Sequence, residues 1–332
     1  MKSLFHREVR SIAVVMTTAI VLLSSAAEVA AGMITFGVGA QQFQMEFVTI
    51  GNPGNAPDTT GDPNPAGAVA YSYDIGKFEV SEGMITKFNA SQALQITQNA
   101  RDANKPATSV NWNEAARFVN WLNTSTGNQA AYKFATGSGV NDNIALWTSG
   151  EAGYDASNQY RNSLAKYFLP NSNEWYKAAY YNPNDSTYYD FANGSNTAPT
   201  SVASGSAAGT AVYGQLFGQG PADVDQAGGL SPYGVMGLGG NVYEWEESSF
   251  DLQNSSGSSS RGIRGGDWNS GSSDLSSSTR YIRDPSLDGI LVGFRVASLS
   301  ASPAAAVPEP GTLLLGTLLG LGGYLGKRRM KK

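Results

Sequence analysis

The sequence runs to 332 residues, with 22 basic and 27 acidic side chains, no cysteine and a single histidine, His6. A body without Cys or His has no thiolate and no Ser-His or Cys-His nucleophile pair, and it lacks the usual ligand sets for zinc, copper or non-haem iron. Residues 32–306 hold 14 basic against 24 acidic side chains, a net of −10, which argues against nucleic acid as a partner.

The first 31 residues read as an export signal. Lys2, Arg7 and Arg10 precede an apolar run over residues 12–23, and the small residues Ala30 and Ala31 precede Gly32. The run is shorter than the roughly 20 apolar residues a comfortable membrane span needs. The body is read as one domain over residues 32–303. An exported body without cysteine has no disulfides, so its core stands on packing alone.

Within that body, residues 45–50, 69–80 and 293–299 have strand composition with partial alternation. Three helices are expected. The first starts at Ser81, with Met84, Ile85 and Phe88 on one face. In the second, Ala115, Phe118, Val119 and Leu122 recur at helical spacing, with Asn113 as its cap. The third has Asn171 three residues ahead of Glu174, a capping-box start, and buries Trp175, Ala178 and Ala179. Residues 193–229 hold few large aliphatics. The run NSSGSSSRG, residues 254–262, reads as a mobile low-complexity loop. Strands and helices alternate too rarely for a doubly wound sheet, so the expectation is an irregular α+β body.

The C-terminal residues 304–332 have three parts. Val307, Pro308, Glu309 and Pro310 come first, then a short apolar segment, residues 311–326, then Lys327, Arg328, Arg329, Lys331 and Lys332. A terminal basic cluster stays on the cytoplasmic side of a membrane. This order resembles the PEP-CTERM sorting signal of Gram-negative bacteria. The resemblance implies a temporary membrane anchor through the tail and removal of the tail by exosortase. It also implies a final place on the outer surface or in the extracellular matrix, with exopolysaccharide and biofilm.

Five motifs then fall in one order along the body: IGKFEVSEGMITKFNA, PATSVNWNEAARFVNWLN, LPNSNEWYKAAYY, SPYGVMGLGGNVYEWEES and RGGDW followed by GFRVA. Together they resemble the formylglycine-generating-enzyme/sulfatase-modifying-factor superfamily. The resemblance implies an irregular FGE-sulfatase fold of the α+β class, related to C-type lectins and poor in regular secondary structure. In that family a cysteine pair after the RGGDW-like motif binds copper, and another branch uses histidine-bound iron. Here Ser270 and Leu275 stand at the cysteine positions, so neither copper nor iron is expected.

The family also holds a structural calcium beside the GGNVYE motif, and the matching positions are Gly239, Gly240, Val242 and Glu244. Calcium takes about 6–8 oxygen ligands, and glycines let carbonyls converge. Against this stands a reading in which Glu244 pairs with an arginine such as Arg264 or Arg295. Glu244, Glu246 and Glu247 lie too close in sequence to flank a glycosidic bond well. The expected function is a non-catalytic binding or structural domain, with a polysaccharide or a surface protein as ligand. The alternative is a carboxylate- or metal-dependent enzyme using Asp267, Asp274 or Asp284.

Overall fold

The computed structural model describes residues 32–300. The expected export signal and sorting tail, with its motif Val307–Pro310, lie outside the described residues. In chain order the elements are β1 (Gly32–Phe36), β2 (Phe43–Ile50), β3 (Tyr73–Gly76), α1 (Glu82–Asn89) and α2 (Trp112–Ser125). Then come β4 (Tyr167–Phe168), α3 (Ser172–Tyr180), β5 (Tyr181–Asn182), β6 (Thr187–Tyr188), β7 (Thr200–Ser201) and β8 (Thr210–Ala211). The last are β9 (Tyr243–Ser249), β10 (Arg261–Arg264), β11 (Tyr281–Arg283), β12 (Val292–Gly293) and β13 (Ala297–Leu299).

Two sheets organise the body. The first runs β1-β2-β3-β13-β4 with every neighbour antiparallel. Ile75 pairs with Val48 on one side and with Ala297 on the other, so an early and a late strand lie side by side. The second runs β11-β10-β9-β12, with β12 parallel to β9. Its register shifts between Arg261 and Ile263. The residue at the shift is Gly262, where a Cβ would stand 2.1 Å from the Glu246 carboxylate. The bulge therefore brings backbone against a charged side chain where no larger residue fits.

The helices start as their sequences dictate, with one change. Ser81 caps α1 by accepting from the Met84 amide. Asn171 and Glu174 close a full capping box on α3. The cap of α2 is Asn111, not Asn113, and Glu114 completes its box. Asn113 instead donates its amide to Asn143, to the Asn141 carbonyl and to the Pro285 carbonyl, tying the helix to two loops. The predicted face of α2 is the buried one: Ala115, Phe118, Val119 and Leu122 are fully covered. Phe118, Val119 and Leu122 each contribute about 2 kcal/mol through burial.

The apolar core has two main bodies. One gathers α1 and α2 with Phe47, Tyr167, Trp245 and Phe294. The other sets α3, through Trp175, Tyr176 and Ala179, on Ile50, Tyr73, Ile75 and Phe168 of the first sheet. Two predicted strands are shorter than expected. Of residues 69–80 only Tyr73–Gly76 pairs as a strand, and residues 293–299 divide between β12 and β13. The serine-rich run is anchored, which corrects its reading as a mobile loop. Asn254 accepts from the Ser249 amide, the Tyr160 hydroxyl donates to the Ser256 carbonyl, and Arg261 forms the start of β10.

Candidate functional site

Strand β9 carries the sequence Tyr-Glu-Trp-Glu-Glu-Ser-Ser, and every residue after Tyr243 is buried. Side chains on a strand alternate between its faces. Glu244 and Glu246 reach α3, through Trp175 and Ser172 respectively. Trp245 points the other way into the α2 core, where its indole donates to the Val110 carbonyl. A strand buried on both faces can hold carboxylates only if each is fully paired.

Each of the three carboxylates has its own arginine. Arg295 donates Nε to Glu244 Oε2 at 2.6 Å and Nη2 to Oε1 at 2.5 Å, while the Trp175 indole adds a bond of 2.7 Å to Oε2. Arg264 donates to Glu246 Oε1 at 2.5 Å and Arg280 to Oε2 at 2.8 Å. Arg161 donates to Glu247 at 2.8 and 2.7 Å and also to Glu174 at 3.0 and 2.9 Å, so one guanidinium bridges the strand and the start of α3. Tyr132 and Asn158 complete the shell of Glu247. Burial works to raise the Glu246 carboxyl, but Arg280 and Arg264 outweigh it and hold the group below the ordinary range.

Glu79, on the segment between β3 and α1, lies next to this ladder without a cation of its own. It is 1% exposed. Asn241 donates to its Oε1 at 2.9 Å, and its Oε2 has no partner. Burial first, and then the charge of Glu244, push its carboxyl up to about 8, although Arg295 and the Asn241 bond offset part of the shift. Sequence reasoning passed over Glu79 and Arg161 alike. The motif letters around Glu79 gave no sign that its partner would be an amide rather than a cation.

The GGN turn ahead of β9 is built for close backbone approach. Gly240 has φ 95° and would set a Cβ 2.3 Å from the Val212 carbonyl oxygen. Its amide donates to the Gly265 carbonyl, and the next amide, of Asn241, donates to Val212. Gly239 and Val242 flank this turn, and Val242 is buried beside Trp268. The donors do not fit a calcium ion centred on Glu244, because Arg295 and Trp175 occupy both carboxylate oxygens. Among the described residues, no group of three or more His, Cys, Asp or Glu side chains converges to hold a metal.

The family description "Sulfatase-modifying factor enzyme 1-like domain" matches residues 28–299. The chain belongs to that family. No curated protein sequence matches it. The structure of Treponema denticola variable protein 1 is similar, with TM-score 0.55 and 19% identity over 81% of this chain and 99% of that one. The crystal structure of CarF is similar to the same degree, with TM-score 0.55 and 18% identity over 77% and 99%. At such identities the likeness shows the fold alone. The irregular α+β, C-type-lectin-like class read from the motifs is the observed one.

In this family member the region after RGGDW is held by short local contacts. The Ser270 hydroxyl donates to Asp267 Oδ2 at 3.0 Å, accepts from the Asp267 amide, and lies 3.3 Å from the Tyr243 hydroxyl. Leu275 is 1% exposed and packs toward Gly266 and Gly239. Asp267 also accepts from the Asn269 amide, and burial raises its carboxyl. Asp274 accepts from Tyr281, and Asp284 closes a turn on Ser286. Asp223 pairs with Lys105, and Asp225 accepts from Asn104.

Two clefts on the surface are large enough for a ligand, and the first abuts the acidic strand through Arg161. One, of about 430 Å³, is lined by Tyr71, Arg161, Asn171, Asn173 and Asn254 among others. The other, of about 470 Å³, is lined by Arg101, Lys105, Phe217, Trp268 and Ile290 with their neighbours. Both are within the size range of sites for small ligands.

Proposed function

We propose that this protein is exported, sorted by its C-terminal signal, and placed on the outer surface or in the extracellular matrix of a Gram-negative bacterium. There the domain binds polysaccharide and contributes to matrix structure without turning its ligand over. It has lost the cysteine chemistry of its family. The observation that supports this reading best is the pair Ser270 and Leu275. One is a hydroxyl tied into a turn by Asp267, and the other is an alkyl group packed in the core. Neither is a thiolate, and neither supplies a Cu(I) ligand.

The acidic strand supports the same reading. Glu244, Glu246 and Glu247 are all fully buried. They face arginines rather than solvent, so they serve the fold and do not flank a substrate bond. Polysaccharide as ligand follows from the sorting tail, whose relatives act with exopolysaccharide, and from open clefts that mix aromatic rings with amides and an arginine. Exosortase is the processing partner in this reading.

The deciding experiment exposes the purified mature protein to a broad panel of bacterial polysaccharides and, in parallel, to a cysteine-containing sulfatase peptide. Specific retention of a polysaccharide with its chain length unchanged, and an unmodified peptide, are the expected outcomes. Oxidation of the peptide, or depolymerisation lost in Asp267→Ala, would replace the binding reading with an enzymatic one. Mass spectrometry of the surface fraction tests the sorting step. An intact Lys332 there would remove exosortase from the proposal.

A further inference from the structure

The cleft of about 470 Å³ lies between residues 100–105 and the turn 217–221, with Trp268 and Ile290 completing its wall. The Arg101 guanidinium sits over the Trp268 ring at 5.3 Å from its centre. The Phe217 ring stands 6.1 Å from the same indole, inclined by 33°. Trp268 is held in place by its own indole N–H, which donates to the Phe217 carbonyl. Phe217 is 52% exposed, so a large aromatic side chain faces solvent at the mouth.

Arg101 has no ion-pair partner among the described residues. Its one hydrogen bond goes from Nη1 to the Thr108 hydroxyl, and Nε and Nη2 make none. The other charges nearby are accounted for. Lys105 pairs with Asp223 at 2.9 Å. Glu82 accepts from Gln98 and from the Asn99 amide, and its charge acts on Arg101 without a direct bond between them. Asp102 is exposed on the rim. Ala100, directly before Arg101, takes φ 52°, a conformation that residues with a Cβ adopt only where the surroundings impose it. The backbone is thus bent where it presents this arginine.

A single unpaired guanidinium beside an exposed aromatic face is a pairing suited to one ligand chemistry. A planar guanidinium takes a carboxylate with two parallel bonds. An aromatic face takes the C–H face of a sugar ring, and a rim carboxylate such as Asp102 accepts from sugar hydroxyls. A phosphate polyanion would need several free cations, and the body is net acidic. We infer that this cleft binds a uronate unit of an acidic polysaccharide, its carboxylate on Arg101 and its ring face on Phe217. The inference rests on the polysaccharide-binding reading and names the cleft and the sugar class within it.

The test is titration calorimetry of the mature protein with oligogalacturonate, and with the same oligomer after reduction of its carboxyls to alcohols. Arg101→Ala and Phe217→Ala should each weaken oligogalacturonate binding tenfold or more, Arg101→Lys should restore part of it, and the reduced oligomer should bind at least tenfold more weakly. Phe217 is exposed, so its variant keeps the wild-type melting temperature. Equal binding by wild type and both alanine variants, or equal affinity for the reduced oligomer, would overturn the assignment. Retention of some other polysaccharide, undiminished in Arg101→Ala and Phe217→Ala, would overturn the cleft and leave the broader function standing. If no polysaccharide is retained at all, both fall.

Discussion

Arg295 closes its guanidinium fork on both oxygens of Glu244, a residue 51 positions earlier in the chain. The same arginine donates to the carbonyls of Gly76 and Met236. One side chain thereby joins the end of β3, the turn before the GGN motif, and the central strand of the second sheet. Both partners are fully buried, so the pair fixes geometry at a desolvation cost that only complete bonding offsets.

Removing that cation alone should be severe. Arg295→Met leaves Glu244 buried beside Glu79 with no positive charge, and a broken buried pair of this kind costs about 3–5 kcal/mol. Urea unfolding of the variant should show a loss of that size, with part of it recovered in the double variant Arg295→Met/Glu244→Met. A loss under about 1 kcal/mol would mean that the pair does not organise the core.

Glu79 gives the fold a pH dependence of opposite sign to that of Glu246. Its folded carboxyl is raised to about 8 from an ordinary value of 4.5. The protonated form is therefore favoured in the folded state. Its contribution is complete below about pH 4.5 and is lost as the pH rises to about 8. Glu79→Gln should remove this loss, so the variant gains stability over wild type at pH 8 and much less at pH 5. Glu246, held low by Arg264 and Arg280, works the other way: its contribution is present above 4.5 and disappears in acid. Melting temperatures of wild type and Glu79→Gln across pH 4 to 9 check the sign for Glu79, and identical profiles would contradict its role.

Calcium should leave the ladder unchanged. Glu244 already carries Arg295 and Trp175, so an ion there would have to displace a buried guanidinium. Adding calcium in millimolar amounts, or a chelator, should not move the melting temperature. An upward shift of several degrees that is lost in Glu244→Gln would show that the ion binds at this turn after all.

Part of this structure was legible in the sequence, and the rest had physical reasons to be hidden. The helices showed through because apolar spacing and an Asn three residues before a Glu are local signals. The same rule, applied two residues earlier, points to Asn111 as the cap of α2 rather than Asn113. The family motifs marked the GGN turn and the Arg295 segment. The alternative that Glu244 pairs with an arginine was open from the start, and Arg295 is the arginine it meets. Arg161 could not be read as a bridge between Glu174 and Glu247, because ion pairs across 13 and 86 positions leave no periodic trace. The serine-rich run looked mobile by composition, yet Asn254 and Ser256 are held by tertiary bonds that composition does not record. The cleft at Arg101 was hidden for the same reason, since Trp268 and Phe217 meet it from distant segments.

The central claim is that this domain holds polysaccharide and does not transform it. The most direct measurement is retention of acidic polysaccharide on immobilised mature protein, with the eluted chains sized against the input. Saturable retention with unchanged chain length is the predicted result. Absence of retention, or shortened chains whose appearance depends on Asp267, would contradict it.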